Sequence, residues 1–195
     1  MELVKESTKI LRKKRVSKKP TTVAEFEQWE AKRTSDYNYE FYYGEIIKKP
    51  GMKQIEFLIL KFLGRQFLKT NAHKNEGELL IEADVYIDEF RKRIPDLAFF
   101  TEKQIIAAAK GEKVVPAFAI EILSQSESLI NVEAKLQDYF DAGVKLVWYI
   151  LPKTKKIYAY TALNEIKIYI TGECAIADSV LPDYEIDIEK LFAIE

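Results

Sequence analysis

Two apolar, strand-like runs each carry a carboxylate at their centre, and few folds accommodate that. The runs are Ile94-Pro95-Asp96-Leu97-Ala98-Phe99-Phe100 and Ala117-Phe118-Ala119-Ile120-Glu121-Ile122-Leu123. Branched and aromatic residues in such density predict buried strands. An ionised carboxylate inside one costs several kcal/mol unless it is paired, hydrogen-bonded or bound to a metal. Asp96 and Glu121 lie 25 residues apart, close enough for neighbouring strands. Together they point to a site. The bland alternative places each at a strand end or beside a nearby lysine.

The 195 residues suffice for one domain with a proper core: residues 21–195, behind a basic and flexible arm at 1–20. No apolar stretch reaches the length of a membrane span, and no apolar segment follows the basic N-terminus, so neither an anchor nor a signal peptide is expected. Cys174 stands alone, which fits a reducing, cytoplasmic setting. His73 is the single histidine, so thiolate–imidazole zinc sites are excluded and a catalytic triad would have to use it. It sits in a polar stretch that reads as a loop, and no catalytic role is expected of it. The chemistry is left to carboxylates, lysine and tyrosine, and paired carboxylates select hard cations such as Mg²⁺ or Mn²⁺.

The net charge of −1 hides an asymmetry: residues 1–19 hold eight basic side chains against Glu2 and Glu6. A basic arm on an acidic body suits contact with polyphosphate, or it is simply a solvated tail.

Along the chain, Thr22 with Glu25 predicts a capped helix. Residues 37–47 read as an aromatic strand broken at Gly44. Residues 53–70 carry apolar positions at helical spacing. Strands are predicted at 78–88, 94–100, 115–123, 145–151, 156–162 and 167–171, and helices at 102–109, 127–142 and 187–192. The sum is a mixed α/β domain, a mixed sheet flanked by helices, with a parallel crossover over 115–151.

Side chains alternate along a strand, so Glu121 shares a face with Ala119 and Leu123, and Asp96 with Ile94 and Ala98. If the strands are neighbours, both acids converge on one spot. With a main-chain carbonyl, assigned to Ile122, and waters they form a site suited to Mg²⁺. Lys135 borders the apolar stripe of the following helix, either aimed at the acids or solvated with its stem on apolar surface. Glu45, in Tyr42-Tyr43-Gly44-Glu45, reads on its own as a solvent-facing strand residue.

Five blocks then stand in order: Tyr39-Glu40-Phe41-Tyr42-Tyr43-Gly44-Glu45-Ile46, Ile94-Pro95-Asp96-Leu97, Glu121-Ile122-Leu123-Ser124, Lys135-Leu136-Gln137-Asp138-Tyr139, and Ala142-Gly143-Val144 running into Val147-Trp148-Tyr149-Ile150. In this order and spacing the chain resembles the Uma2 family of bacterial proteins, members of the PD-(D/E)XK nuclease superfamily. The resemblance implies a restriction-endonuclease-like core and a divalent-metal nuclease site. It carries over Asp96 and Glu121 as metal-binding acids, Glu45 as the acid of the first block, and Lys135 as the amine. The wider superfamily places a lysine two residues after the second acid, where this chain has Leu123. Further departures are Ser124-Gln125-Ser126-Glu127 after the second acid, Asn131, and Lys53-Gln54 where a histidine is common.

The resemblance implies Mg²⁺-dependent or Mn²⁺-dependent hydrolysis of phosphodiester bonds, with nucleic acid, double-stranded DNA first, as substrate and a homodimer as the matching assembly. Two other readings compete. One is a catalytically silent nucleic-acid-binding or regulatory module that retains the fold. The other is an assembly protein using the aromatic surface at 37–43.

Overall fold

Local signals set most element boundaries. The computed structural model describes residues 19–34, 37–124 and 127–193. The basic arm up to residue 18 and the pair Gln125-Ser126 lie outside the described residues. Thr22 caps α1 (Val23–Glu30) by accepting the Glu25 N–H. The stretch read as one broken strand is a hairpin of β1 (Tyr39–Tyr42) and β2 (Glu45–Lys48). Tyr43 and Gly44 between them both have positive φ, 44° and 81°, as a two-residue turn matched to strand twist requires.

The predicted helix at 53–70 is α2 (Gln54–Phe67), and α3 (Asn71–Lys74) follows where the sequence reads as loop. There the His73 ring packs edge-on to Phe67. The strand predicted over 78–88 is two: β3 (Glu78–Ile81) and β4 (Val85–Tyr86), which enter different sheets. Glu82, at φ 51°, turns the chain between them. After β5 (Arg91–Arg93) come β6 (Leu97–Phe100), α4 (Glu102–Ala109), β7 (Phe118–Ile122) and α5 (Leu129–Ala142). Ser128 caps α5, and Gly143 ends it at φ 100°, a left-handed conformation that costs glycine little. Then follow β8 (Leu146–Leu151), β9 (Lys156–Ala162), β10 (Glu165–Tyr169), β11 (Cys174–Ala177), β12 (Leu181–Asp187) and α6 (Ile188–Leu191).

The main sheet has the order β10-β9-β8-β7-β6-β3, with β7 beside parallel β8 and antiparallel β6. The parallel pairing of β7 and β8 around α5 is the expected crossover. Alternation along β7 divides the core. Phe118, Ile120 and Ile122 face α2 and the β11–β12 hairpin, and they meet Leu63, Trp148 and Tyr184 there. Ala119 faces α5, with Leu136, Tyr139, Val147 and Tyr149. A smaller sheet, β2-β1-β5-β4, carries α1 on one face through Val23, Phe26 and Phe41. The chain passes from the small sheet to the large one between Arg93 and Leu97. Asp96 lies at that fork.

Candidate active site

Asp96 and Glu121 come together for a simple reason of register. Strands β6 and β7 pair Leu97 with Ile120 and Ala98 with Ala119, so one step outward sets Asp96 opposite Glu121, on the face that α5 covers. The next position pairs residue 95 with Ile122. Pro95 has no N–H to give, and the Ile122 carbonyl therefore has no ladder donor at that place. The Ile122 N–H donates to Asp96 Oδ2 instead, at 2.7 Å. The proline thus ends the ladder beside Asp96.

Each acid is met by an ammonium group. Lys135, on α5, reaches Glu121 Oε1 and Oε2 at 3.3 and 3.4 Å. Tyr139, one turn further on, donates its hydroxyl to Glu121 Oε1 at 2.5 Å. Lys49, just past β2, lies 2.9 Å from Asp96 Oδ1 and donates to the Ile94 carbonyl at 2.8 Å. Glu82 stands 3.7 Å from the same amine. Burial pushes the Glu121 carboxyl up, to about 7, against the pull of Lys135 and with a further push from Asp96. Burial works against both lysines, but Glu121 and Glu40 raise Lys135, and Asp96 and Glu121 raise Lys49. Both amines stay charged.

The third acid at this place is Glu40. It is buried on β1 with Oε1 3.4 Å from Lys135 Nζ. Glu45, the acid carried over by resemblance, is exposed at the start of β2 and is not brought into the cluster. The reason is the hairpin: its turn separates Glu45 from Glu40 and leaves Glu45 exposed near the solvent-facing Tyr43. Glu40 also accepts from the Ile94 N–H at 3.2 Å and from Arg93 Nη1 at 3.1 Å. Burial raises its carboxyl, but Lys135 and Arg93 outweigh that and hold it below the usual range.

Behind Glu40 a charged network ties the small sheet to α5. Arg93 Nε donates to buried Asp138 at 2.6 Å, and Arg91 Nη1 reaches Asp138 at 2.6 Å and Asp141 at 2.8 Å. Strand alternation sends Arg91 and Arg93 to this side and Lys92 to the other. There Lys92 pairs with Asp84 at 2.9 Å and Glu30 at 3.3 Å. Sequence reasoning passed over Glu40, Lys49, Arg93 and Asp138. Glu40 carried the usable signal, since it interrupts the aromatic run Tyr39-Glu40-Phe41-Tyr42 as Glu121 interrupts its own run.

No cluster of three or more acidic, histidine or cysteine side chains is arranged to hold a metal among the described residues. The donors at the fork are two carboxylates and a carbonyl. All are hard oxygen ligands, and they fit an ion such as Mg²⁺ that uses one or two protein carboxylates and takes its other oxygens from water or phosphate. A family model described as "Putative restriction endonuclease" (Uma2) matches residues 23–189. The chain belongs to the Uma2 family. A solved structure, a "putative nuclease belonging to DUF820" from Anabaena variabilis, superposes with a TM-score of 0.74 at 20% identity. The match covers 89% of this chain and 98% of that one. At that identity the likeness concerns the fold, here a mixed α/β sheet flanked by helices with the restriction-endonuclease-like core. No curated protein matches. No helix among the described residues is long and apolar enough to cross a membrane.

Proposed function

We propose that this Uma2 protein is a metal-dependent endonuclease that hydrolyses phosphodiester bonds of DNA. The observation that carries the reading is the pairing of Asp96 with Glu121 across β6 and β7, with Lys135 on Glu121 and Lys49 on Asp96. Asp96, Glu121 and the Ile122 carbonyl are the residues that would hold Mg²⁺ or Mn²⁺. A bound divalent ion lowers the pKa of its water and offsets charge developing on phosphate. Lys135 and Lys49 keep two positive charges beside the acids, where a phosphate oxygen would need them. Tyr139 and Glu40 position Lys135 and Glu121, because each touches one of them directly. A homodimer is the assembly that would offer two such sites to a duplex.

Cleavage of varied DNA substrates in Mg²⁺ and Mn²⁺ tests the proposal, with Asp96→Ala and Glu121→Ala as controls. Wild type is expected to cut and each variant to lose roughly 10³-fold, a typical cost of removing one group that stabilises charge in a transition state. Equal cutting by all three would trace the activity to a contaminant.

One observation favours the silent-module reading: both acids are closed on lysines, Asp96 at 2.9 Å. That reading predicts DNA binding that is indifferent to Asp96→Ala and to divalent ions.

A further inference from the structure

A second feature shares both the face and the end of the sheet used by Glu121. In the register Glu121 lies opposite Tyr149, and Tyr149 opposite Tyr158. A cleft of about 340 Å³ opens there, lined by Tyr149, Tyr158, Tyr160, Leu123, Val132 and Leu151. It stands at the carboxyl ends of the parallel strands β7 and β8, where open α/β sheets take their ligands. Two interstrand steps, roughly 10 Å, separate Tyr158 from Glu121 across the sheet.

The walls are flat, ordered and aromatic. The Tyr149 hydroxyl donates to the Val132 carbonyl at 2.8 Å, and its ring meets Tyr160 edge-on at 5.8 Å. Tyr158 and Tyr160 are half-buried: each packs partly against the α5-side core and keeps part of its ring open to the cleft. Lysines gather on one side of the mouth, across from Glu127. The turn that gives Lys153 and Thr154 to the lining also carries Lys155 and Lys156. Glu127, exposed at the rim, accepts the Ser124 N–H at 2.8 Å. An aliphatic protein segment has no use for lysines at the entrance; a base with its phosphate uses both features.

We propose that this cleft takes an unpaired nucleobase about one or two nucleotides from the scissile phosphodiester. The inference rests on the nuclease reading and narrows its substrate to nucleic acid with unstacked residues: a single strand, a flap, or a duplex that releases a base. A paired base inside a continuous duplex cannot present its face to Tyr158.

The test has two arms. In the first, single-stranded and duplex oligonucleotides of one sequence are titrated without divalent ions against wild type, Tyr158→Ala and Tyr158→Phe. Wild type is expected to favour the single strand, Tyr158→Ala to lose roughly tenfold for it, and Tyr158→Phe to keep it, since the stacking face survives. In the second arm, single abasic positions are walked along a cleaved strand in Mn²⁺. One position near the cut should slow wild type about tenfold and leave Tyr158→Ala indifferent. Identical binding and identical abasic profiles in wild type and Tyr158→Ala would overturn the pocket, and the nuclease reading would stand if Asp96 and Glu121 are still required for cutting. Tyr158-dependent binding with no cutting in either metal would overturn the nuclease reading and leave a base-binding pocket. A dimer that Tyr158→Ala dissociates, with unchanged affinity for single strands, would assign the face to a second copy of the chain and overturn the proposal.

Discussion

Lys135 stands between two groups of acids, all buried but the half-buried Asp96, that are neutralised in different ways. On one side Glu40 and Asp138 are held by Arg93, with Arg91 adding to Asp138. On the other side Asp96 and Glu121 are met by Lys49 and Lys135, with no guanidinium. Arginine presents a rigid planar fork, is weakly hydrated and does not give up its proton. Lysine is a compact charge on a flexible stem and yields more readily to a competing cation. The arginine side fixes α5 against the small sheet; on the proposed reading, the lysine side leaves two carboxylates open to a competing cation.

The largest expected effect tests the clamp. Arg93→Met leaves Glu40 and Asp138 buried without their shared partner, and breaking a buried pair this way costs about 3–5 kcal/mol. Urea denaturation should show the loss in the midpoint with little change in slope. A loss below about 1 kcal/mol would put the clamp on the same footing as surface ion pairs.

A smaller effect should come from making the two sides alike. Lys49→Arg would set a forked donor on Asp96 in place of a point charge. The fold should tolerate it. The divalent ion concentration needed for half-maximal thermal stabilisation should rise about tenfold, the scale on which groups contacting metal ligands tune affinity. Unchanged metal dependence would mean that the choice of lysine at this place carries no functional weight.

The sequence made the lysine side more legible than the arginine side, for a physical reason. Asp96 and Glu121 break apolar runs, and a charge in such a setting is costly enough to be noticed. Lys135 follows from the helix stripe and the block it belongs to. The strand Arg91-Lys92-Arg93 shows no apolar alternation at all. Its side chains alternate between two sets of acids, and those acids come from α1, β1, α5 and the segments on either side of β4. No local pattern reports that. Lys49 reads as a polar residue ahead of Pro50, and its amine is drawn in by Asp96, Glu82 and the Ile94 carbonyl, all distant in sequence. The β11–β12 hairpin was missed because Pro182 and Asp183 depress strand propensity, although Tyr184 and Ile186 are fully buried. Glu45 and Glu40 differ by one hairpin turn, and a single broken strand cannot tell which acid turns inward.

The smallest effect is a pH signature that the two acids sharing Lys135 should write with opposite signs. Glu40 has its carboxyl held below the ordinary value of 4.5. Its contribution to stability is present above about 4.5 and is lost as pH falls through its own lower value. Glu121 has its carboxyl pushed up from 4.5 to about 7. Its contribution is full below about 4.5 and is lost as pH rises through about 7, because the charged form must then be kept buried. Without divalent ions, Glu40→Gln should flatten the acid limb of the melting curve against pH, and Glu121→Gln the limb between about 5 and 8. A divalent ion favours the charged form of Glu121, so Mg²⁺ should raise the melting temperature by a few degrees at pH 8 and by less at pH 5.5, where protons compete. Thermal melts of wild type and Glu121→Gln with and without Mg²⁺ decide the matter. If the variant keeps both the slope and the metal response, Glu121 is no ligand, and the acids on the two sides of Lys135 serve structure alike.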